Sequence, residues 1–188
     1  METTRMEKIR MNNNGLTMIE VLMVFAIVAI VAAMGFPTFM DQRDKARIKR
    51  AGREMVSHFQ MARINAMRDG RTWAVAFDTG QNKYSLVHAG DDRTLDTDDD
   101  VTAKEIALSG YGEVRFGIGD GLGGRPDGTA PDDGISFSGN RVLFKSDGSS
   151  ESGTVYVMNA KGQTFAVGSI SRTGRIKVWA NYGQGWES

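Results

Sequence analysis

VLMVFAIVAIVAAMGFPTFM, residues 21–40, is a long apolar run without a charged side chain. An α-helix of about 20 residues spans roughly 30 Å, the thickness of the hydrocarbon core of a bilayer. Arg5, Lys8 and Arg10 precede the run, so the positive-inside rule puts this end in the cytoplasm and the following residues outside it. The run passes directly into charged sequence at Asp41, unlike a cleaved secretory signal. It therefore predicts a single transmembrane helix.

Composition limits what the rest of the 188-residue chain can be. This length accommodates one globular domain in addition to a membrane anchor. Lys and Arg together number 23, as do Asp and Glu, so the neutral chain has no general attraction to nucleic acid. The sequence has no cysteine, which excludes disulfides, thiolate metal sites and cysteine nucleophiles.

A second helical pattern follows the apolar run between residues 41 and 69. Apolar residues recur there at spacings of three and four, which is typical of one face of an amphipathic helix. The positions are Ile48, Ala51, Met55, Phe59, Ala62 and Ala66. Gly70 is the predicted stop. If the two patterns form one helix, it extends from residue 16 to residue 69.

The C-terminal part of the chain is predicted to be rich in β-strands. Many of the 23 glycines of the whole chain come after residue 109, as in chains of short strands joined by turns. Residues 72–77 and 84–88 are predicted to form a hairpin around the loop 79–83. Further strands are predicted at 113–116, 134–137, 141–144, 154–158, 164–170 and 175–179. The expected fold is α+β, a long N-terminal helix packed on an antiparallel sandwich or pair of sheets.

The junction Gly15-Leu16-Thr17-Met18-Ile19-Glu20 resembles the type IV prepilin signal. In that signal a dedicated prepilin peptidase cuts after the glycine and methylates the new N-terminus. The resemblance implies cleavage between Gly15 and Leu16, with Leu16 as the N-methylated first residue of the mature chain. Pro37 then falls where many type IV pilins and pseudopilins carry a helix-bending proline.

Glu20 has two interpretations that are compatible with each other. A carboxylate at the edge of an apolar span is unfavourable without a partner, and the resemblance implies pairing with the free amine of Leu16 on a neighbouring subunit during filament assembly. Alternatively, Thr17-x-x-Glu20 is a capping box at the start of the helix. Gly35 and Pro37 together weaken the helix, so a bend is expected there.

Two further segments resemble the H-type minor pseudopilins, the GspH/FimT family. They are QMARINAMRDGR at 60–71 and ISFSGNRVLFKSDGSSESGTVYVMNAKGQTFAVGSISRTGRIKVW at 135–179. The resemblance implies a pilin-like lollipop in four parts. These are a prepilin leader at 1–15, the transmembrane half of the helix at 16–39, an amphipathic stalk at 40–70 and a β-rich periplasmic head at 71–188.

The implied function is that of a structural minor pseudopilin of a type II secretion system. Its partners would be the prepilin peptidase, other major and minor pseudopilins or pilins and an inner-membrane assembly platform. The chain would cross the bacterial inner membrane once, with its head in the periplasm. No enzymatic activity or cofactor is expected, because neither His58 nor His88 has an evident nucleophile beside it. The alternative is a minor pilin of a type IV pilus or competence apparatus.

Three local motifs are candidate binding sites. In DDRTLDTDDD, residues 91–100, Asp96, Asp98 and Asp100 match the first ligands of an EF-hand, but Val101 replaces the required glycine. A solvated loop is favoured over a calcium site there. The sequence GDGLGG at 119–124 satisfies G-x-G-x-x-G, but RPDGTAPDDG after it is unsuited to open the helix that a dinucleotide site needs, so a surface loop is favoured.

The third motif is a basic ridge formed by Arg172, Arg175 and Lys177. Arg175 and Lys177 point to the same side of a predicted strand. Some members of the pilus-associated branch bind DNA through a Gly-Arg-x-Arg ending, and GRIK at 174–177 resembles it with lysine in place of the second arginine. That substitution and the neutral composition favour a solvated edge strand, protected from aggregation by its charges, over a DNA site.

Overall fold

The computed structural model describes residues 16–124, 131–171 and 173–188, with the side chains of 34–39 left out. The chain divides into two compact units, Met1–Asp41 and Gln42–Ser188. The first unit contains the beginning of helix α1 (Met18–Asp69). All strands of the described residues belong to the second unit.

Helix α1 is a single helix of 52 residues, so the predicted continuity of the two helical patterns is confirmed. The predicted apolar face is also confirmed, since none of its side chains is more than 1% exposed. These are Ile48, Ala51, Met55, Phe59, Ala62 and Ala66. The helix ends at Asp69, and Gly70 follows with φ of 64°. Glycine adopts this left-handed conformation without the steric penalty of a Cβ atom, which explains the stop.

The strands form two antiparallel sheets in the described residues. In chain order they are β1 (Trp73–Asp78), β2 (Lys83–His88), β3 (Val101–Ala107), β4 (Arg115–Phe116), β5 (Arg141–Phe144), β6 (Gly153–Met158), β7 (Thr164–Ile170), β8 (Arg175–Asn181) and β9 (Trp186–Glu187). The first sheet has the order β3-β2-β1-β5, and the second has the order β4-β6-β7-β8-β9. The predicted α+β class and the pair of sheets are confirmed.

The predicted hairpin of β1 and β2 is present, and its turn also connects the two sheets. Asp78 Oδ1 accepts the backbone N–H of Gln81 at 2.9 Å, and Asn82 closes the turn with φ of 51°. The Asn82 amide donates to the carbonyl of Val114 at 2.9 Å, while its Oδ1 accepts the N–H of Phe116 at 3.2 Å. One asparagine therefore links the first hairpin to β4 of the second sheet.

The hydrophobic core joins α1 to both sheets in one cluster. Phe59 of the helix lies at its centre, with ring centroids 6.1 Å from Phe77, 6.2 Å from Phe137 and 5.9 Å from Phe144. Each such ring contributes about 1.5–3 kcal/mol through burial. The opposite face of the second sheet carries a smaller cluster containing Tyr156 and Trp179.

The structure corrects several predicted strands. Residues 134–137 form only an isolated bridge between Ile135 and Val155, because Gly134 has φ of 78° and breaks the extended backbone. The strand predicted at 113–116 is reduced to its last two residues. Strands β3 and β9 were not predicted; in β3 only Ile106 is buried, so the strand lacks the alternating apolar pattern that reveals a half-buried strand.

Candidate functional site

The N-terminal end of α1 is capped by Thr17. The backbone N–H of Glu20 donates to Thr17 Oγ1 at 3.3 Å and to the Thr17 carbonyl at 3.1 Å. This is the threonine half of the predicted capping box. Glu20 lies in the first turn, where a carboxylate interacts favourably with the helix dipole.

The first unit exposes an extensive apolar surface. Twelve large apolar side chains between Leu16 and Val31 are 37–80% exposed. They are Leu16, Met18, Ile19, Val21, Leu22, Met23, Val24, Phe25, Ile27, Val28, Ile30 and Val31. Glu20 is the one charged residue between Leu16 and Met40 in the sequence. Among the described residues, no helix combines the length and mean hydropathy of a membrane span.

Several predicted site residues lie outside the description. Gly15 and the rest of the predicted leader are outside the described residues, so cleavage before Leu16 stays a prediction. Gly35 and Pro37 belong to α1, but nothing beyond their place in the helix is described, and the predicted bend is untested. Arg172 is likewise outside the described residues.

Both ring nitrogens of His58 lie within hydrogen-bonding distance of a neighbouring side chain. His58 is buried, and its Nδ1 lies 2.8 Å from the Tyr84 hydroxyl while its Nε2 lies 2.9 Å from Lys104 Nζ. Burial, followed by the positive charge of Lys104, lowers the pKa of His58, and burial raises the pKa of Tyr84. His88, by contrast, lies against the Trp73 ring with its Nδ1 2.9 Å from the Ala89 carbonyl oxygen.

The acidic run forms a loop that is held by hydrogen bonds within the run and by an ion pair with Arg141. Asp96 makes a two-pronged ion pair with Arg141, which lowers the pKa of the Asp96 carboxyl. The backbone N–H of Asp96 donates to Asp100 Oδ2 at 2.7 Å, and Asp98 is exposed. Within the described residues no group of three or more acidic, histidine or cysteine side chains is placed to hold a metal ion.

The glycine-rich motif begins with a tight turn. The N–H of Gly119 donates to Thr164 Oγ1 at 3.0 Å, and the N–H of Leu122 donates to the Gly119 carbonyl at 3.1 Å. In the part of the chain that the structure describes, no helix follows this turn before the short 3-10 segment Ser138–Asn140. Within the described residues on either side of 125–130, no helix N-terminus of the kind that a dinucleotide site requires adjoins this turn.

Two members of the basic ridge lie at the start of β8. Arg175 and Lys177 are exposed, and they occupy the same side of the strand because they are two residues apart. Lys177 Nζ lies 6.0 Å from the centroid of the Trp179 ring. The pair is thus accessible to a negatively charged partner.

Comparison with known protein families identifies the chain. The model of the type II transport protein GspH matches residues 51–174, more than half of the chain. The chain belongs to the GspH family. A model of the prokaryotic N-terminal methylation motif matches residues 10–36, so the resemblance to a GspH-type pseudopilin with a methylation motif is confirmed.

Other comparisons with this GspH family chain are more distant. No curated protein shows significant sequence similarity to it. Two structures of the minor pseudopilin EpsH from the type II secretion system of Vibrio cholerae align at 12% identity. They cover 71% of this chain and 97% and 94% of their own, with TM-scores of 0.44 and 0.43.

Arg63, within the segment that matches GspH, makes long-range contacts that the sequence did not predict. Its Nε donates to the carbonyl of Gly148 at 3.0 Å, and its Nη2 donates to the carbonyl of Thr173 at 2.9 Å. One helix side chain thereby connects the turn after β5 to the turn after β7. The only sequence signal was a basic residue beside the buried face of α1; its carbonyl partners are 85 and 110 residues away.

Proposed function

We propose that this GspH family chain is a structural, non-catalytic minor pseudopilin that assembles through the N-terminal part of α1 into a periplasmic pseudopilus. The pseudopilus would support protein secretion by a type II system. The family match supports the secretion system, and the methylation motif supports maturation by a prepilin peptidase. Partners would be other major and minor pseudopilins and the inner-membrane platform.

The observation that carries the proposal is the apolar surface between Leu16 and Val31. Covering apolar surface contributes about 25 cal/mol per Å², so these side chains favour contact with lipid before assembly and with neighbouring helices after it. Helix packing in the filament would then rely on close van der Waals contact. The single carboxylate of Glu20 would select the axial register by meeting the methylated amine of Leu16 on the next subunit.

The domain organisation proposed from this function has four parts. Residues 1–15 are the cytoplasmic leader that is removed, and 16–39, which include the beginning of α1, anchor the chain in the inner membrane in a single pass. Residues 40–70 form the stalk, and 71–188 form the periplasmic head. Gly35 and Pro37 would let the helix adjust near the membrane exit.

The proposal is tested by mass analysis and cross-linking in the native host. Because the chain has no cysteine, Val24→Cys introduces a unique thiol on the exposed apolar surface. We expect a mature chain that begins at methylated Leu16 and that cross-links to other pseudopilins once a photoactivatable cross-linker has been attached to the introduced thiol. With Glu20→Gln we expect normal cleavage but loss of the cross-link, because the subunit–subunit charge pair is absent.

Glu113→Gln is the matched control, since Glu113 is an exposed carboxylate on the second unit and its loss should leave cross-linking unchanged. An uncut chain in the wild type would contradict the processing step. Cross-linking that survives Glu20→Gln would contradict the proposed role of Glu20, and no cross-link from the Val24→Cys chain that retains Glu20 would overturn assembly through α1.

A further inference from the structure

Strand β8 has an incompletely covered edge. On one side it pairs with β7 along its whole length, but on the other side β9 pairs only with Ala180 and Asn181. In the described residues no strand covers positions 175–178 on the side away from β7. Alternate backbone N–H and C=O groups of such an edge point outward and are available to another strand.

Two adjoining cavities follow this edge, with volumes of about 470 and 420 Å³. They share Val178, Trp179 and Ser188. The larger cavity lies between α1 and the sheet, and apolar side chains that include Val56 and Phe165 line it. Val178 is 38% exposed, so the groove offers apolar surface beside an open strand edge.

The charge around the groove is strongly asymmetric. Lys49 and Arg53 are exposed at the larger cavity, one helical turn apart on α1, while Arg175 and Lys177 line the smaller cavity. Glu187 is the one acidic side chain among the described residues that line either cavity. A basic groove in a chain of zero net charge is complementary to a negatively charged partner.

The register of β8 places Val178 and Lys177 on opposite faces of the strand. Val178 is paired with Val167, whose side chain belongs to the core that faces α1. Lys177 is paired with Gly168 and therefore points to the opposite face. A strand added to this edge would place alternate side chains in the apolar groove and the remaining side chains beside Arg175 and Lys177.

We propose that the free edge of β8 binds an extended acidic segment of a partner protein by strand addition. Backbone hydrogen bonds to positions 175–178 would provide affinity, as in other complexes of this kind. Apolar residues at every second position would enter the groove, and carboxylates between them would meet Arg175 and Lys177. This surface belongs to the second unit, so the proposal does not depend on filament assembly through the N-terminal part of α1.

The test measures peptide binding to the full chain in non-ionic detergent by fluorescence anisotropy. The probe is the labelled peptide EVEVEVE, and the controls are KVKVKVK and EVEPEVE, in which proline removes a backbone donor. We expect saturable binding of EVEVEVE alone. Combining Arg175→Glu with Lys177→Glu should weaken binding by about tenfold or more. Arg115→Glu, on β4 at the opposite edge of the same sheet, should not.

Lys49→Glu combined with Arg53→Glu provides a second test on the exposed face of α1, where misfolding is not expected. Near-ultraviolet circular dichroism checks the fold of all variants. Weaker peptide binding by this variant supports the proposal. Absence of EVEVEVE binding, equal binding of EVEPEVE, or binding that survives both charge reversals would overturn it. So would self-association of the chain through β8, or binding of a short DNA duplex there, without peptide binding.

Discussion

At the scale of single residues, His58 shows how a buried ring acquires a defined protonation state. The Lys104 ammonium has only protons to donate, so Nε2 of His58 must accept and its Nδ1–H must donate to Tyr84. A second proton on His58 would place two positive charges 2.9 Å apart. The lowered pKa of His58 follows from burial and from Lys104.

This arrangement predicts that acid destabilises the fold through His58. Its folded-state pKa lies below the ordinary value of 6.5, so the stabilisation is complete above that pH and is lost as pH falls below it. The loss approaches about 1.4 kcal/mol per pH unit until the folded-state pKa is reached. Urea unfolding of the full chain in detergent at about pH 7.5 and about pH 5.5 measures it.

His58→Gln should flatten this pH dependence, because glutamine is neutral throughout yet can both donate and accept. His88→Gln is the matched control and should retain it. Carboxyl groups with lowered pKa, such as Asp96 and Asp147, lose their contribution only at lower pH, near the ordinary carboxyl range of about 4. An unchanged slope in His58→Gln would refute the assignment.

At the scale of elements, helix α1 lies very close to the second sheet at Gly52. A Cβ atom at this position would overlap the ring of Phe165 on β7. Glycine is therefore retained inside a helix, although it costs about 1 kcal/mol relative to alanine. The contact brings α1 onto the second sheet beside Met55 and Phe59 of the buried face.

We expect Gly52→Ala to lower the free energy of unfolding, because overpacking costs about 1–3 kcal/mol and outweighs the gain in helix propensity. Phe165→Leu removes the ring, so Gly52→Ala should cost less in that background. Denaturant unfolding of the single and double variants measures this coupling. Gly110→Ala is the control, since no atom lies within 4 Å of its added Cβ.

If Gly52→Ala proved stabilising, or if the two substitutions were additive, the close contact would not limit packing. The sequence pattern already predicted which face of α1 is buried. It did not predict the contact of Gly52 with Phe165, because a glycine in a helical period carries no signal of what lies opposite. Strand β3 was missed for a related reason: it is an edge strand with one buried side chain.

At the scale of the whole molecule, the buried apolar side chains of the described residues all lie between Ile48 and Trp179. The second unit, Gln42–Ser188, therefore contains its own core. The apolar side chains from Leu16 to Val31 are exposed instead. The second unit thus buries apolar side chains in a core, whereas the segment from Leu16 to Val31 exposes them.

We expect a chain that lacks residues 1–41 to remain folded and monomeric without detergent, with a cooperative unfolding transition. The full chain should associate under the same conditions, because exposed apolar surface of this extent drives aggregation. Sedimentation and thermal unfolding followed by circular dichroism test both expectations. A truncated chain that is unfolded would show that the second unit needs the removed segment.

The sequence alone determined the features that depend on neighbouring residues. The GLTMIE junction and the apolar run 21–40 indicated a methylation motif and an apolar helix, and spacing by three and four identified the buried face of the stalk. These patterns are local, because helix faces and processing signals are read within a few turns of the chain. The family resemblance rested on equally contiguous segments.

The tertiary structure determined which residues distant in sequence come into contact. It placed His58 between Tyr84 and Lys104, joined Arg63 to two turns far along the chain, and left the edge of β8 open beside Lys49 and Arg53. Such contacts depend on which strands pair and on how the helix packs across them. No local period of the sequence encodes that arrangement, because the energy of packing is shared among residues that only the fold makes neighbours.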